Sequence, residues 1–248
     1  MKPVSPDERP PNGSARHRIF RSEVVRRGMM SSMVGRRFFC IALFVLAVAP
    51  FAAANPPAGA TITFRKVFKS SYPEFVEIKV SDSGAGTYDI RQLDDDSNPQ
   101  PMVIDAPIVQ KIFDLAGKLH NFDGVDLEMH RRIANLGEKT FRYDRGAESH
   151  SVTFNYTLDR SAAQLLGIFE DLSRQQTDLS DLKRTMRYDR LGVNDVLRHI
   201  EADYDRNLLP EPQQFLAALD QLAADSHFID IARDRARALA GRIRASTP

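Results

Sequence analysis

Phe75–Arg91 reads FVEIKVSDSGAGTYDIR, and the spacing of its apolar residues decides the fold class. Val76, Ile78 and Val80 alternate with Glu77 and Lys79; beyond the loop, Tyr88 and Ile90 alternate with Asp89 and Arg91. A side-chain period of two puts one set on a buried face and the other in water, so each arm reads as a half-buried antiparallel strand. Between them, Asp82-Ser83-Gly84-Ala85-Gly86 is hairpin-loop chemistry, because glycine reaches positive φ without a Cβ clash.

Working outward, Ile62 and Phe64 give a further strand signal upstream. Downstream, the acidic, proline-bearing loop Asp94–Pro99 leads to a helix capped by Asp105, with Pro107 in its first turn. Its expected buried stripe is Ile108, Ile112, Leu115, Ala116 and Leu119. A second unit of the same plan follows. Phe141 and Tyr143 form one arm, Asp144–Glu148 the loop, and Val152, Phe154 and Tyr156 the other arm. A helix then starts near Asp159 or Ser161 and presents Leu165, Leu166, Phe169 and Leu172. Asp82-x-Gly84-Ala85 recurs as Asp144-x-Gly146-Ala147, which reads as a pseudo-repeat of hairpin plus helix. The expected class is α+β: four or so antiparallel strands from two hairpin-helix units, with helices on one face. Tyr72, Phe75, Tyr88, Phe141, Tyr143, Phe154 and Tyr156 are expected mostly on the buried side of that sheet.

The run FVEIKVSDSGAGTYDIR, a capped helix ending near Phe122-Asp123, and a second hairpin and helix together resemble a family of exported bacterial proteins of unknown function. That family is built from two hairpin-helix units, and the resemblance covers residues 61 to 175. It implies a fold and a compartment, and it brings no activity and no functional residue.

From Thr177 the pattern turns helical, with Leu179, Leu182 and Met186, then Val193, Val196, Leu197, Ile200 and Tyr204 at spacings of three and four. Gly192 is expected to divide or bend this run. Pro210 and Pro212 open the next helix, and the last carries Phe228, Ile231, Ala232, Leu239 and Ile243. The organisation expected is therefore an extension and leader over 1–54, an α+β module over 55–177, and an antiparallel helical appendage over 178–248.

Arg36-Arg37, an apolar run from Phe38 and the small residues Ala52-Ala53-Ala54 are the three parts of a secretory signal peptide. The stretch Phe38–Ala54 is 17 residues and includes Pro50, against about 20 for a spanning helix, which favours cleavage after Ala54 over a permanent anchor. The chain is expected to be exported to the periplasm, touching membrane only through that leader if it is left uncleaved. The arginine pair is compatible with the general and the twin-arginine routes. The single cysteine, Cys40, leaves with the leader, so the mature chain has no disulfide or thiolate. Nine of the 34 basic and three of the 33 acidic residues also lie in 1–54, leaving 25 basic against 30 acidic, a net −5 over residues 55–248. Such a balance offers no basic field for nucleic acid.

Catalytic signatures are sparse. The histidines after the leader, His120, His130, His150, His199 and His227, stand in no HExxH, HxH or other compact ligand spacing. Asp126, Glu128 and His130 form the nearest approach to a cluster, on a polar loop. Asp94, Asp95 and Asp96 lack the glycine and distal glutamate of an EF-hand. There is no G-x-S-x-G, and Gly84-Ala85-Gly86 sits inside a hairpin rather than ahead of a helix, where a phosphate loop belongs. Arg233, Arg235, Arg237, Arg242 and Arg244 alternate with acids, which reads as salt-bridged surface. The expectation is a non-enzymatic binding protein for a protein or envelope component, without cofactor or metal. Ile229, at an interhelical corner beside Phe228, is its candidate interface residue. The alternative is a cofactor-independent or metal-assisted hydrolase using Asp126, Glu128 and His130.

Overall fold

The computed structural model describes residues 59–246. The expected leader, its cleavage site after Ala54 and Cys40 lie outside the described residues. Strands β1 (Thr61–Val67), β2 (Phe75–Ser81), β3 (Ala85–Arg91) and β4 (Gln100–Val103) precede helix α1 (Ala106–Lys118). Strands β5 (Glu138–Arg145) and β6 (Glu148–Phe154) then lead into α2 (Arg160–Tyr188), α3 (Val193–Asp205), α4 (Leu216–Ala224) and α5 (Asp230–Ser246). The fold is α+β: one antiparallel sheet ordered β4-β3-β2-β1-β5-β6, with helices packed on one face and a helical layer following.

The period-two alternation is what faces the helices. Ile62, Phe64, Ile78 and Val80 are wholly buried, and Phe141 stands opposite Phe64 where β1 pairs with β5, joining the two hairpin units edge to edge. Phe169 of α2 stacks on Phe64 with ring centroids 5.2 Å apart, and Phe141 packs against Phe122 and Phe154 at 5.4 and 5.3 Å. The other face of the sheet carries charge pairs, Arg65 with Glu77 at 2.5 Å and Arg142 with Asp144 at 2.8 Å. Gly84 holds φ at +85°, and a Cβ there would come 2.6 Å from the carbonyl oxygen of Ile104, so only glycine closes this hairpin against β4's exit.

Several expectations need correction. The sheet has six strands rather than four or so: each of the five strand signals is a strand, and β4, with Pro101 and a single buried side chain at Met102, adds a sixth that has no alternation to read. Tyr72 and Tyr156 are exposed, and Phe75 lies on the face away from the helices, with the Arg91 guanidinium 4.3 Å from its ring centroid. Asp105 precedes α1 as expected, but its carboxylate caps nothing and instead accepts from Gln213. Asp159 does cap α2, accepting from the Ala162 amide at 2.8 Å.

Helix α2 runs unbroken for 29 residues, about 43 Å, so position 177/178 falls inside it. Ala162, Leu165, Phe169 and Leu172 belong to the sheet core; Leu179 and Leu182 belong to a second core shared with α3, α4 and α5. Between these, Gln175, Gln176 and Asp178 are buried polar residues. Gln175 accepts from the Glu211 amide at 2.7 Å, Gln176 donates to Gln214 at 2.8 Å, and Gln214 in turn donates to the Val103 carbonyl at 3.0 Å. The segment leading into α4 is thus stitched onto both α2 and the end of β4. All five arginines of α5 are paired with acids, among them Arg233 with Asp230, Arg242 with Asp205 and Arg244 with Asp220.

Candidate functional site

The polar interval of α2 meets α3. His199 and Asp203 stand four residues apart on α3, which places both on one helix face. That face meets Asp178, with His199 Nε2 3.6 Å from Asp178 Oδ1 and 3.8 Å from Asp203 Oδ2. One donor atom from each of the three lies within 4.8 Å of the others. The side chains of Asp178 and Asp203 are 8% and 4% exposed, whereas that of His199 is 64% exposed, so the carboxylates form a floor and the imidazole a rim.

Both carboxylates are short of partners. Asp178 Oδ2 and Asp203 Oδ2 are buried with no hydrogen bond among the described residues. The guanidiniums of Arg174 and Arg206 each stand 3.8 Å from Asp203, beyond hydrogen-bond length, and Arg174 spends its short contact on Asp171 at 2.8 Å. Burial pushes the Asp178 carboxyl up to about 6 despite the counteracting charge of His199, and the neighbouring carboxylates of Asp203 and Asp181 add to the rise.

The cluster opens into a groove of about 550 Å³ between α2 and the β1–β2 connection. Phe64 and Val76 supply apolar lining, Tyr72 and Pro73 the connection's side, and Arg174 and His199 the polar side. Lys66 is held there by Glu170 at 3.0 Å.

Asp126, Glu128 and His130 do not converge. Asp126 and His130 pair at 2.7 Å with both side chains exposed, and this imidazole holds the Asp126 carboxyl below its usual range. Glu128 turns away to accept from the Asn155 amide. Asp94, Asp95 and Asp96 are exposed, and Asp95 closes its own turn by accepting from the Gln92 amide at 3.1 Å. Reading the sequence by compact motifs missed Asp178, His199 and Asp203; the one local signal was the i,i+4 spacing of His199 and Asp203.

A second surface lies where α2 ends and α5 begins. A depression of about 560 Å³ there is lined by Met186 and Phe228 together with Lys183, Arg187 and Arg190. Tyr188 and Leu191 beside it are 73% and 79% exposed. Among the described residues none of these three cations stands within salt-bridge distance of an acid, unlike the arginines of α5, although the Arg190 charge acts on Asp225 in the same depression; Arg187 lies over the Tyr188 ring at 5.2 Å. Phe228 is buried, and its neighbour Ile229 is 43% exposed.

No family model matches the chain, and no curated protein matches it.

Proposed function

We propose that this chain is an exported, non-enzymatic binding protein that engages a protein partner through the end of its helical layer. The observation that carries the reading is the pairing of exposed Tyr188 and Leu191 with Lys183, Arg187 and Arg190, three cations that share the depression with a single acid, Asp225, on residues 55–248 of net charge −5. Tyrosine and arginine around a concave apolar floor are the residues that dominate protein interfaces. The partner is accordingly an acidic segment with an apolar side chain, the latter seated on Met186 and Phe228. Ile229 extends the same end of the layer.

A photo-crosslinker at Tyr188, applied in envelope extracts, tests this reading against the same label at exposed Lys118 on α1. A discrete adduct at Tyr188, lost in Arg187→Glu/Arg190→Glu and weakened by salt, is the expected result. Equal labelling at both positions, or binding to anionic phospholipid vesicles without protein, would replace it.

A second reading, metal-assisted hydrolysis, draws on the convergence of Asp178, His199 and Asp203 at a groove rather than on Asp126, Glu128 and His130. Turnover of generic ester, peptide or phosphodiester substrates that requires zinc and is lost in His199→Gln would install that reading in place of binding.

A further inference from the structure

We propose that Asp178, His199 and Asp203 hold one divalent transition-metal ion, zinc by donor chemistry, in a site that ties α2 to α3 at the polar interval between the two cores.

Two carboxylate oxygens and an imidazole nitrogen form a mixed oxygen-nitrogen set. Zinc takes such sets with three protein ligands and a remaining position for water, whereas calcium requires six to eight oxygens and magnesium retains most of its own water. Zinc bonds of about 2.0–2.1 Å in tetrahedral geometry put donors about 3.4 Å apart. The imidazole Nε2 already stands 3.6 Å from Asp178 Oδ1 and 3.8 Å from Asp203 Oδ2, and one donor atom from each residue lies within 4.8 Å of the others, so side-chain rotation has to draw the donors in around the ion.

The independent observation is the pair of orphaned oxygens. Asp178 and Asp203 are 6% and 3% exposed, and each leaves Oδ2 without a hydrogen bond among the described residues. A buried carboxylate oxygen without a partner is costly, and a bound cation is one of the few things that satisfies two at once. Arg174 and Arg206 do not, since both stop at 3.8 Å from Asp203 and neither is paired with Asp178. Entry is open: His199 is exposed at the rim, and the groove that Asp178 and His199 help to line leads from solvent to Asp178.

The test is calorimetric titration of the chelator-stripped protein with zinc chloride, with magnesium and calcium chlorides as comparators. One zinc per chain, no magnesium or calcium binding, and an affinity weakened at least tenfold in each of His199→Gln, Asp178→Asn and Asp203→Asn is the expected outcome. His199→Gln alters an exposed side chain and keeps the fold. In the metal-free state the two isosteric asparagine variants should melt at or above the unsubstituted protein, because each removes an under-partnered buried acid, while zinc should raise the melting temperature of the unsubstituted protein alone. His130→Ala should bind zinc normally. Failure of the unsubstituted protein to bind zinc stoichiometrically overturns the proposal, and so does binding that survives both His199→Gln and Asp203→Asn or is lost in His130→Ala.

Discussion

The first part of α2 buries Leu165, Phe169 and Leu172 against the sheet, and its second part buries Leu179 and Leu182 against α3, α4 and α5, whereas the interval between them buries Gln175, Gln176 and Asp178. The two apolar stretches are satisfied by packing alone. The polar interval is satisfied only in part: the glutamines bond to the segment before α4, but among the described residues Gln175 Nε2 and one oxygen each of Asp178 and its neighbour Asp203 have no hydrogen bond. An unpaired buried polar group costs about 1–3 kcal/mol. Local violations of this kind concentrate at functional sites, which is why the interval, and neither core, is where chemistry is sought.

Substitutions that break the two cores should have the largest effects. Phe169→Ala removes a fully buried ring stacked on Phe64 and should cost about 3–5 kcal/mol. Leu182→Ala in the second core should cost about 2–5 kcal/mol. Denaturant unfolding followed by circular dichroism measures both. A chain ended at Thr177 retains every buried residue of the sheet core, the last being Leu172, and should keep a cooperative transition with a lower midpoint. A molten fragment would mean that the segment around Glu211 and Gln213, which bonds to Asp105, is needed to complete that core.

The polar interval should add a pH dependence that neither core has. Burial pushes the Glu211 carboxyl up from 4.5 to about 7, with the Asp105 charge adding to the rise and the Asp105 amide, donating at 2.6 Å, opposing it. Between those pH values the folded protein retains a proton that the unfolded chain has lost. Stability from this group is therefore complete below about pH 4.5 and is lost as pH rises to about 7. Glu211→Gln should flatten that slope and raise the melting temperature at pH 8. An unchanged slope in the variant would place the titrating group elsewhere.

These cores were legible in the sequence because Ile62, Phe64, Val76, Ile78 and Val80 keep a period of two, and Val193, Leu197 and Ile200 keep a helical period. The continuity of α2 was not. From Ser173 to Asp178 the chain reads SRQQTD, and apolar periodicity lapses exactly where the helix continues through its polar contacts. The candidate site was illegible for the same reason. Asp178 is 21 positions from His199, and only the crossing of α2 and α3 brings them together. The loop trio of Asp126, Glu128 and His130 drew notice because it is compact in sequence, yet its carboxylates point to different partners.

Smaller effects sharpen the contrast between surface and interval. Ile229→Asp changes a residue 43% exposed and should leave the melting temperature unmoved while weakening partner crosslinking at Tyr188. Unfolding of α5 in that variant would make Ile229 a packing residue and remove it from the interface. His130→Ala breaks an exposed ion pair and should leave the melting temperature unmoved.

Anomalous diffraction at the zinc edge from crystals of the zinc-loaded protein tests most directly that the polar interval of α2 is a metal centre. A single peak about 2.0–2.2 Å from donor atoms of Asp178, His199 and Asp203 is the predicted result. A peak elsewhere on the molecule, with these three side chains unliganded, would contradict it.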